Sequence, residues 1–77
     1  MLMSDKTYNG WKNYQTWNVA LWIQNDEGLY NIAKECDDYG DFLDQSMGVR
    51  TGATPDGVMW NDPRLDMLEL DSIFEEL

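Results

Sequence analysis

Four aspartates in the middle of the chain are the first side chains whose spacing could support chemistry: Asp37, Asp38, Asp41 and Asp44. With Gly40 among them they suggest a calcium-binding loop. Such a loop needs oxygen ligands at alternating positions and a glutamate at the twelfth. Here Tyr39 and Phe42 fall between the acids, and no glutamate ends the run. We therefore predict a solvated acidic helix face and no metal site.

Catalysis by paired carboxylates is the second chemistry to weigh. It requires a pocket that excludes water, which a chain of 77 residues can scarcely build. The chain has no histidine to act as a base near neutral pH, so Cys36, Ser46 and Ser72 also lack an activating partner. One cysteine and no histidine exclude a disulfide framework and an ordinary zinc site. We predict no enzymatic activity and no cofactor, with Cys36 as a small buried apolar residue.

Aromatic residues recur every three positions near the start of the chain, at Tyr8, Trp11, Tyr14 and Trp17. Stacked rings can bind single-stranded nucleic acid, but such sites lie in basic grooves. The first 25 residues contain two lysines as their only basic residues, so we predict no direct contact with nucleic acid. Tyr8, Trp11 and Tyr14 lie at or before the expected helix start, and Tyr and Trp are enriched at interface hot spots. They are therefore predicted to form part of a partner-binding surface.

The charge is divided unevenly along the chain. One acid and two lysines occur in the first 25 residues, whereas the other 52 hold fourteen acids and three basic residues. The net charge of −10 disfavours nucleic acid and anionic membranes, and makes a basic protein surface the natural complement. No apolar run approaches the roughly 20 residues that span a bilayer, so we expect a cytoplasmic protein.

The elements that must position these residues are predicted to be helices. Asn13 is a good N-cap for a helix over 14–24, in which Trp17, Leu21 and Trp22 are expected to be core. A second periodic run extends from about 27 to 47, with a kink or break predicted at Gly40 because glycine costs about 1 kcal/mol in a helix interior. A short connection at 25–26 would join the two helices as an αα-hairpin.

A glycine-rich stretch at 48–61 follows, with Gly48 placed as a helix stop and Pro55-Asp56-Gly57 as a turn. Either Trp60 anchors this loop to the core, which we favour, or residues 49–50 pair with 58–59 as a small hairpin. The whole of 1–77 is predicted to be a single domain, with 1–9 flexible.

The last helix has the most specific local signature. Asp66 followed by Glu69 is an acidic variant of the capping box, and Leu65 with Leu70 forms the matching hydrophobic staple. These residues predict a helix over 67–76. The fold class is thus mostly α: a small three-helix domain, built from an αα-hairpin and a C-terminal helix joined by a long anchored loop.

The stretch GWKNYQTWNVALWIQNDEGLY at 10–30 resembles the opening of a family of short, functionally uncharacterised proteins from bacteriophages, including cyanobacterial phages, and some prokaryotes. Its members typically begin Gly-Trp-Thr-Asn-Tyr-Glu-Thr-Trp. TPDGVMW at 54–60 and LDMLEL at 65–70 resemble later parts of the family, whereas Lys12 and Gln15 depart from the usual Thr and Glu. The resemblance implies no transferable activity or site residue. It implies a small accessory phage protein that acts in a host cytoplasm.

Together these observations favour a non-enzymatic acidic accessory protein that binds and modulates a host protein with a basic surface. The aromatic residues would anchor the complex, and the aspartates at 37, 38, 41 and 44 would steer it. One alternative is DNA mimicry, in which carboxylates imitate phosphates to inhibit a nuclease, restriction enzyme or polymerase. Another is self-assembly, such as a homodimer that covers the apolar surface of 14–23.

Overall fold

The computed structural model describes residues 8–45 and 52–77. Four helices run through these ranges: α1 (Tyr14–Asn25), α2 (Glu27–Ala33), α3 (Tyr39–Gln45) and α4 (Met67–Glu76). Pairing between extended segments in the same ranges is limited to two isolated bridges. The predicted mostly α fold is confirmed. Among the described residues, no helix has the length and apolar character needed to cross a membrane.

Side-chain caps explain where α1 and α2 begin. The Asn13 side-chain oxygen accepts a hydrogen bond from the Thr16 N–H, as its residue type predicted. Asp26 ends α1 and starts α2, because its backbone N–H bonds to the Trp22 carbonyl and its carboxylate accepts from the Leu29 N–H. One residue therefore makes the connection between two helices that pack against each other.

The second predicted helix is two helices in the structure, and the break lies before Gly40. Helix α2 ends at Ala33, and α3 begins at Tyr39. The reason is a local cap: the Asp38 carboxylate accepts a hydrogen bond from the Asp41 N–H at 2.8 Å and so starts a new helix. Gly40 falls in the first turn of α3. The predicted stop at residues 47–48 lies outside the described residues.

The core is built around four aromatic rings, those of Tyr39, Phe42, Trp60 and Phe74. Trp60 is 4 % exposed, so the prediction that it anchors the loop is confirmed. Its backbone carbonyl accepts the hydrogen bond of the buried Tyr39 hydroxyl. The prediction that 67–76 forms a helix is also confirmed, and Leu70 and Phe74 place one face of α4 in this core.

The core face of α1 differs from the prediction. Val19, Ala20 and Ile23 are its most deeply buried apolar residues, whereas Trp17 and Leu21 are only half-buried. Half-buried Trp22 packs against the core from its edge. The helical period of α1 was predicted correctly, but the wrong side of the helix was assigned to the core. Large aromatic residues were expected to be buried, although they are often only partly buried.

Candidate interaction surface

A tight turn brings Tyr8 back over the start of α1. The Tyr8 N–H donates to the Trp11 carbonyl at 2.7 Å, and the Trp11 N–H donates to the Tyr8 carbonyl at 2.8 Å. Between them, Asn9 and Gly10 have φ angles of 51° and 89°. Positive φ at both central residues defines the turn that joins antiparallel pairs most tightly, and Asn-Gly is its preferred sequence. Residues 1–7 of the segment expected to be flexible lie outside the described residues.

The turn creates a surface cluster of three rings, the exposed Tyr8 and Tyr14 and the half-buried Trp17, which we call the aromatic surface. Ring centroids are 4.7 Å apart for Tyr8 and Trp17, 5.3 Å for Tyr8 and Tyr14, and 5.7 Å for Tyr14 and Trp17. Tyr8 remains 40 % exposed and Tyr14 37 % exposed. The structure thus brings together two of the three aromatic residues predicted to bind a partner. Trp11 instead packs against the core, and Trp17 takes its place in the cluster.

Beside the aromatic surface, a polar network ties α1 to the loop around residue 56. Asn18 is completely buried; its side-chain oxygen accepts from the Thr54 hydroxyl at 2.7 Å, and its amide nitrogen donates to the Asp56 carboxylate at 2.8 Å. The Trp22 indole N–H donates to the same carboxylate oxygen at 3.0 Å. A buried amide must have its hydrogen bonds satisfied, so these contacts set the position of the loop.

A turn presents Asp56 to these donors. The Gly57 N–H donates to the Thr54 carbonyl at 2.8 Å, which closes a turn with Pro55 and Asp56 at its centre. Gly57 has a φ of 93°, a conformation that glycine adopts without steric cost. Antiparallel pairing of residues 53 and 59 continues the turn as a very short hairpin. The earlier alternative, pairing with residues 49–50, lies outside the described residues.

A second set of contacts ties the start of α1 to the start of α4. The buried Thr16 hydroxyl donates to the Asn13 side-chain oxygen and accepts from the Asp66 N–H at 3.0 Å. The Asn13 amide nitrogen donates to the Arg64 carbonyl at 2.8 Å. Asn13 and Thr16 of the NYQTWN stretch thus have a structural role, because they accept and donate across the interface between the two helix starts.

The capping box predicted for α4 forms only in part. The Asp66 carboxylate accepts from the Glu69 N–H at 3.0 Å, as expected. The return bond from the Glu69 carboxylate to the Asp66 N–H is replaced: Glu69 accepts from the Lys12 N–H at 2.7 Å, and the Asp66 N–H bonds to Thr16. A tertiary contact has substituted for a local one.

Hydrogen bonds within the protein lower the pKa of the exposed Asp56 carboxylate. The Asn18 amide is the larger cause and the Trp22 indole the second, since both favour the charged form. A carboxyl whose pKa is lower in the folded than in the unfolded state stabilises the fold above its unfolded pKa of about 3.9. That stabilisation is lost as the pH falls through the folded pKa.

Acid should therefore weaken the attachment of the loop to α1. We expect the free energy of unfolding of the Asp56→Asn variant to be lower than wild type at pH 7, with the difference shrinking below pH about 4 as the wild-type carboxyl protonates. Urea denaturation followed by tryptophan fluorescence at several pH values measures this. If the free energy of unfolding of Asp56→Asn fell between pH 7 and pH 3 by as much as that of wild type, this would contradict the lowered pKa assigned to Asp56.

The aspartates predicted to bind a partner do not form one free acidic face. Asp38 caps α3, and the Asp41 carboxylate accepts from the Asp37 N–H at 3.1 Å. The Asp71 carboxylate adds a bond from the Tyr39 N–H at 3.0 Å. The side chains at 37, 38 and 44 are exposed, and the one at 41 is half-buried. Helix capping therefore accounts for the carboxylates at 38 and 41, whatever else they contact.

Residues 4–77 match a family of unknown function, DUF7249. The chain belongs to this family. The match includes the aromatic surface and both polar contact sets. No curated protein and no solved structure matches the chain.

The DUF7249 chain also has a small groove of about 240 Å³ between α3 and the start of α4. Its lining consists of Tyr39, Leu43, Trp60, Asn61, Asp62, Pro63, Leu65 and Met67. Its one carboxylate, Asp62, accepts from the Arg64 side chain at 2.7 and 3.0 Å, which lowers the pKa of Asp62 and raises that of Arg64. Burial raises the pKa of the Tyr39 hydroxyl. The titratable groups of the groove are thus held in one protonation state near neutral pH.

The thiol of Cys36 is buried, as predicted, and donates to the Ile32 carbonyl at 3.3 Å. Burial raises its pKa, and nearby carboxylates, chiefly Asp41, raise it further. A thiol in this state is a poor nucleophile. Within 8–45 and 52–77, no group of three or more potential metal-binding side chains is present.

Two residues of the site were missed at the level of sequence. Asp56 was interpreted only as part of a turn, and Asn18 was not singled out. They are 38 positions apart, and nothing local indicates that they bond to each other. The Asn9-Gly10 pair was also missed, although that dipeptide is a strong signal for a tight hairpin turn.

Proposed function

We propose that this DUF7249 protein is a non-catalytic accessory protein that binds a partner protein through its aromatic surface. The observation that carries the proposal is the clustering of Tyr8, Tyr14 and Trp17, with Tyr8 40 % and Tyr14 37 % exposed. Their mutual packing restricts the rings before binding, so little side-chain entropy would be lost in a complex. Rigid aromatic rings of this kind supply much of the energy of protein interfaces.

The charge supports a partner with a basic surface. The net charge is −10, and helices α3 and α4 contain acids but no lysine or arginine. Such a field accelerates association with a basic protein and repels nucleic acid. The resemblance to short phage proteins supports a host protein as the partner, and the host cytoplasm as the place where the complex forms.

Removing the two exposed rings should abolish capture of that partner. Tagged wild-type protein and the double variant Tyr8→Ala/Tyr14→Ala are compared as baits in nuclease-treated host lysate, followed by calorimetry with the retained protein. We expect the double variant to bind at least about 100-fold more weakly, since two hot-spot residues at roughly 1.5 kcal/mol each are lost. The matched control is Ile32→Ala/Leu68→Ala, which removes side chains on α2 and α4 that are 37 % and 83 % exposed.

Equal affinity of the double variant and the wild type would contradict the proposal, provided that circular dichroism shows both to be folded. Binding that duplex DNA competes away, and that falls steeply with salt, would favour DNA mimicry over general modulation. Light scattering that shows a concentration-dependent dimer, lost in the double variant, would assign the aromatic surface to self-assembly. Charge reversal at Asp38 or Asp41 is unsuitable as a test, because these residues cap α3.

A further inference from the structure

The Asp56 carboxylate has two neutral N–H donors and, among the residues that the structure describes, no cation bonded to it. Both the Asn18 amide and the Trp22 indole donate to Oδ2. In the described parts of the chain, no hydrogen bond or ion pair reaches the other oxygen, Oδ1. Two of the basic side chains that the structure describes are engaged elsewhere: Arg64 pairs with Asp62, and Lys34 lies over the Tyr30 ring. Asp56 is thus an exposed, oriented negative charge without a countercharge among residues 8–45 and 52–77.

The hydroxyl group of an exposed tyrosine, Tyr14, lies near this carboxylate. The Asn18 amide nitrogen is 2.8 Å from Oδ2 of Asp56 and 3.4 Å from the hydroxyl oxygen of Tyr14. Because both contact the same atom, the carboxylate oxygen and the hydroxyl oxygen are within about 6 Å of each other, a distance that one hydrogen-bonding side chain can bridge. Tyr14 belongs to the aromatic surface, so the carboxylate lies at the edge of that surface.

A planar cation fits this pair better than a compact one. A guanidinium group can donate to a carboxylate while its face stacks on an aromatic ring, whereas an ammonium group keeps its hydration shell and cannot stack. The Asn18 and Trp22 donors hold the carboxylate in place before binding, which reduces the entropy lost on binding. A single carboxylate without further oxygen ligands does not suit a metal ion.

We propose that Asp56 and Tyr14 form a binding site for an arginine side chain of the partner protein. One guanidinium N–H donates to Oδ1 of Asp56, and the planar group lies against the Tyr14 ring. This site rests on the proposed function and specifies its chemistry. The partner's basic surface presents an arginine beside those residues of the partner that contact the aromatic surface.

The test uses N-acetyl-arginine amide as the probe and the indole N–H resonance of Trp22 as the reporter. Trp22 bonds directly to the carboxylate, and its resonance is assigned with a Trp22→Phe variant. We expect a saturable shift with a dissociation constant in the millimolar range, roughly that of one solvated ion pair with stacking. The uncharged isostere N-acetyl-citrulline amide should give no saturable shift, and N-acetyl-lysine amide should bind several-fold more weakly.

Asp56→Asn is the decisive variant, because asparagine keeps an acceptor for the Asn18 and Trp22 donors but loses the charge. It should reduce arginine-amide binding at least about tenfold, whereas the matched variant Asp37→Asn, at an exposed acid elsewhere, should leave it unchanged. Absence of a saturable shift in wild-type protein up to about 50 mM probe would overturn the proposal. An equal shift with N-acetyl-citrulline amide would also overturn it. That comparison uses wild-type protein alone, so it does not depend on whether a variant folds.

Failure of this site and failure of the proposed function give different results. If the partner is lost from Tyr8→Ala/Tyr14→Ala but bound equally by Asp56→Asn and wild type, docking through the aromatic surface stands and the arginine site is excluded. If neither variant affects the partner, the aromatic surface itself is not the interface. If both variants lose the partner and wild-type protein binds the arginine amide, the aromatic surface and the arginine site are both supported.

Discussion

Replacing Phe42 by alanine should remove a large fraction of the protein's free energy of unfolding at 25 °C. Phe42 is completely buried, and its ring centroid lies 5.9 Å from that of Tyr39, 6.1 Å from Trp60 and 5.8 Å from Phe74. Truncating a buried phenylalanine costs about 3–5 kcal/mol through lost transfer energy and the cavity left behind. A domain of 77 residues is typically stable by only about 4–11 kcal/mol, so the loss is a large fraction of the total.

Urea denaturation followed by circular dichroism measures the effect of Phe42→Ala. The matched control is Leu68→Ala, which removes an apolar side chain that is 83 % exposed. We expect that control to lie within about 0.5 kcal/mol of wild type. A cost below about 1 kcal/mol for Phe42→Ala would mean that the four rings do not form the core described above.

Replacing Asn18 by aspartate should be the most damaging isosteric change in the chain. Asn18 is completely buried, and its amide nitrogen donates to the Asp56 carboxylate at 2.8 Å. Aspartate would remove that donor and place a second carboxylate against the first. We expect a loss of about 3 kcal/mol at pH 7, from an unsatisfied buried group and like-charge repulsion.

The pH dependence distinguishes this mechanism from a simple packing defect. The pKa of the introduced aspartate would be raised in the folded state, because desolvation and the Asp56 charge both oppose its ionisation. The destabilisation is therefore full above that raised pKa, and it diminishes as the pH falls through it towards the unfolded value of about 3.9. Urea denaturation between pH 7 and pH 4 should show the gap to wild type narrowing.

Gln24→Glu is the matched control for Asn18→Asp, because it makes the same change from amide to acid at an exposed position of α1. It should cost no more than about 0.5 kcal/mol. If Asn18→Asp were as mild as Gln24→Glu, the network of Asn18, Thr54 and Asp56 would not hold the loop in solution.

Helix starts were predicted well because their signals are local. Asn13 and Asp66 cap α1 and α4 as expected, since each side chain bonds to a backbone N–H three residues away. The cap at Asp38 follows the same rule but was masked by the apolar period that continues through Cys36. The sequence predicted a kink or break at Gly40, whereas in the structure α2 ends at Ala33 and Asp38 starts α3.

The candidate site was predicted in part. Tyr8 and Tyr14 were placed on an exposed edge because they precede or begin the first helix, and that exposure is found. The choice between Trp11 and Trp17 as the third ring depended on the turn at 9–10, which was overlooked. Asp56 could not be assigned, because its donors come from α1, more than 30 positions away.

The amino-acid sequence by itself determined the mostly α class, the caps at Asn13 and Asp66, the anchoring role of Trp60, and the excess of negative charge. Each depends on residue type, or on spacing within about one helical turn, where the chain itself brings the groups together. Only the tertiary structure decided which rings cluster at the surface, and which buried amide orients the Asp56 carboxylate. Those contacts join segments that are distant in sequence, and they form only when packing of the whole core offsets the entropy of closing the chain between them.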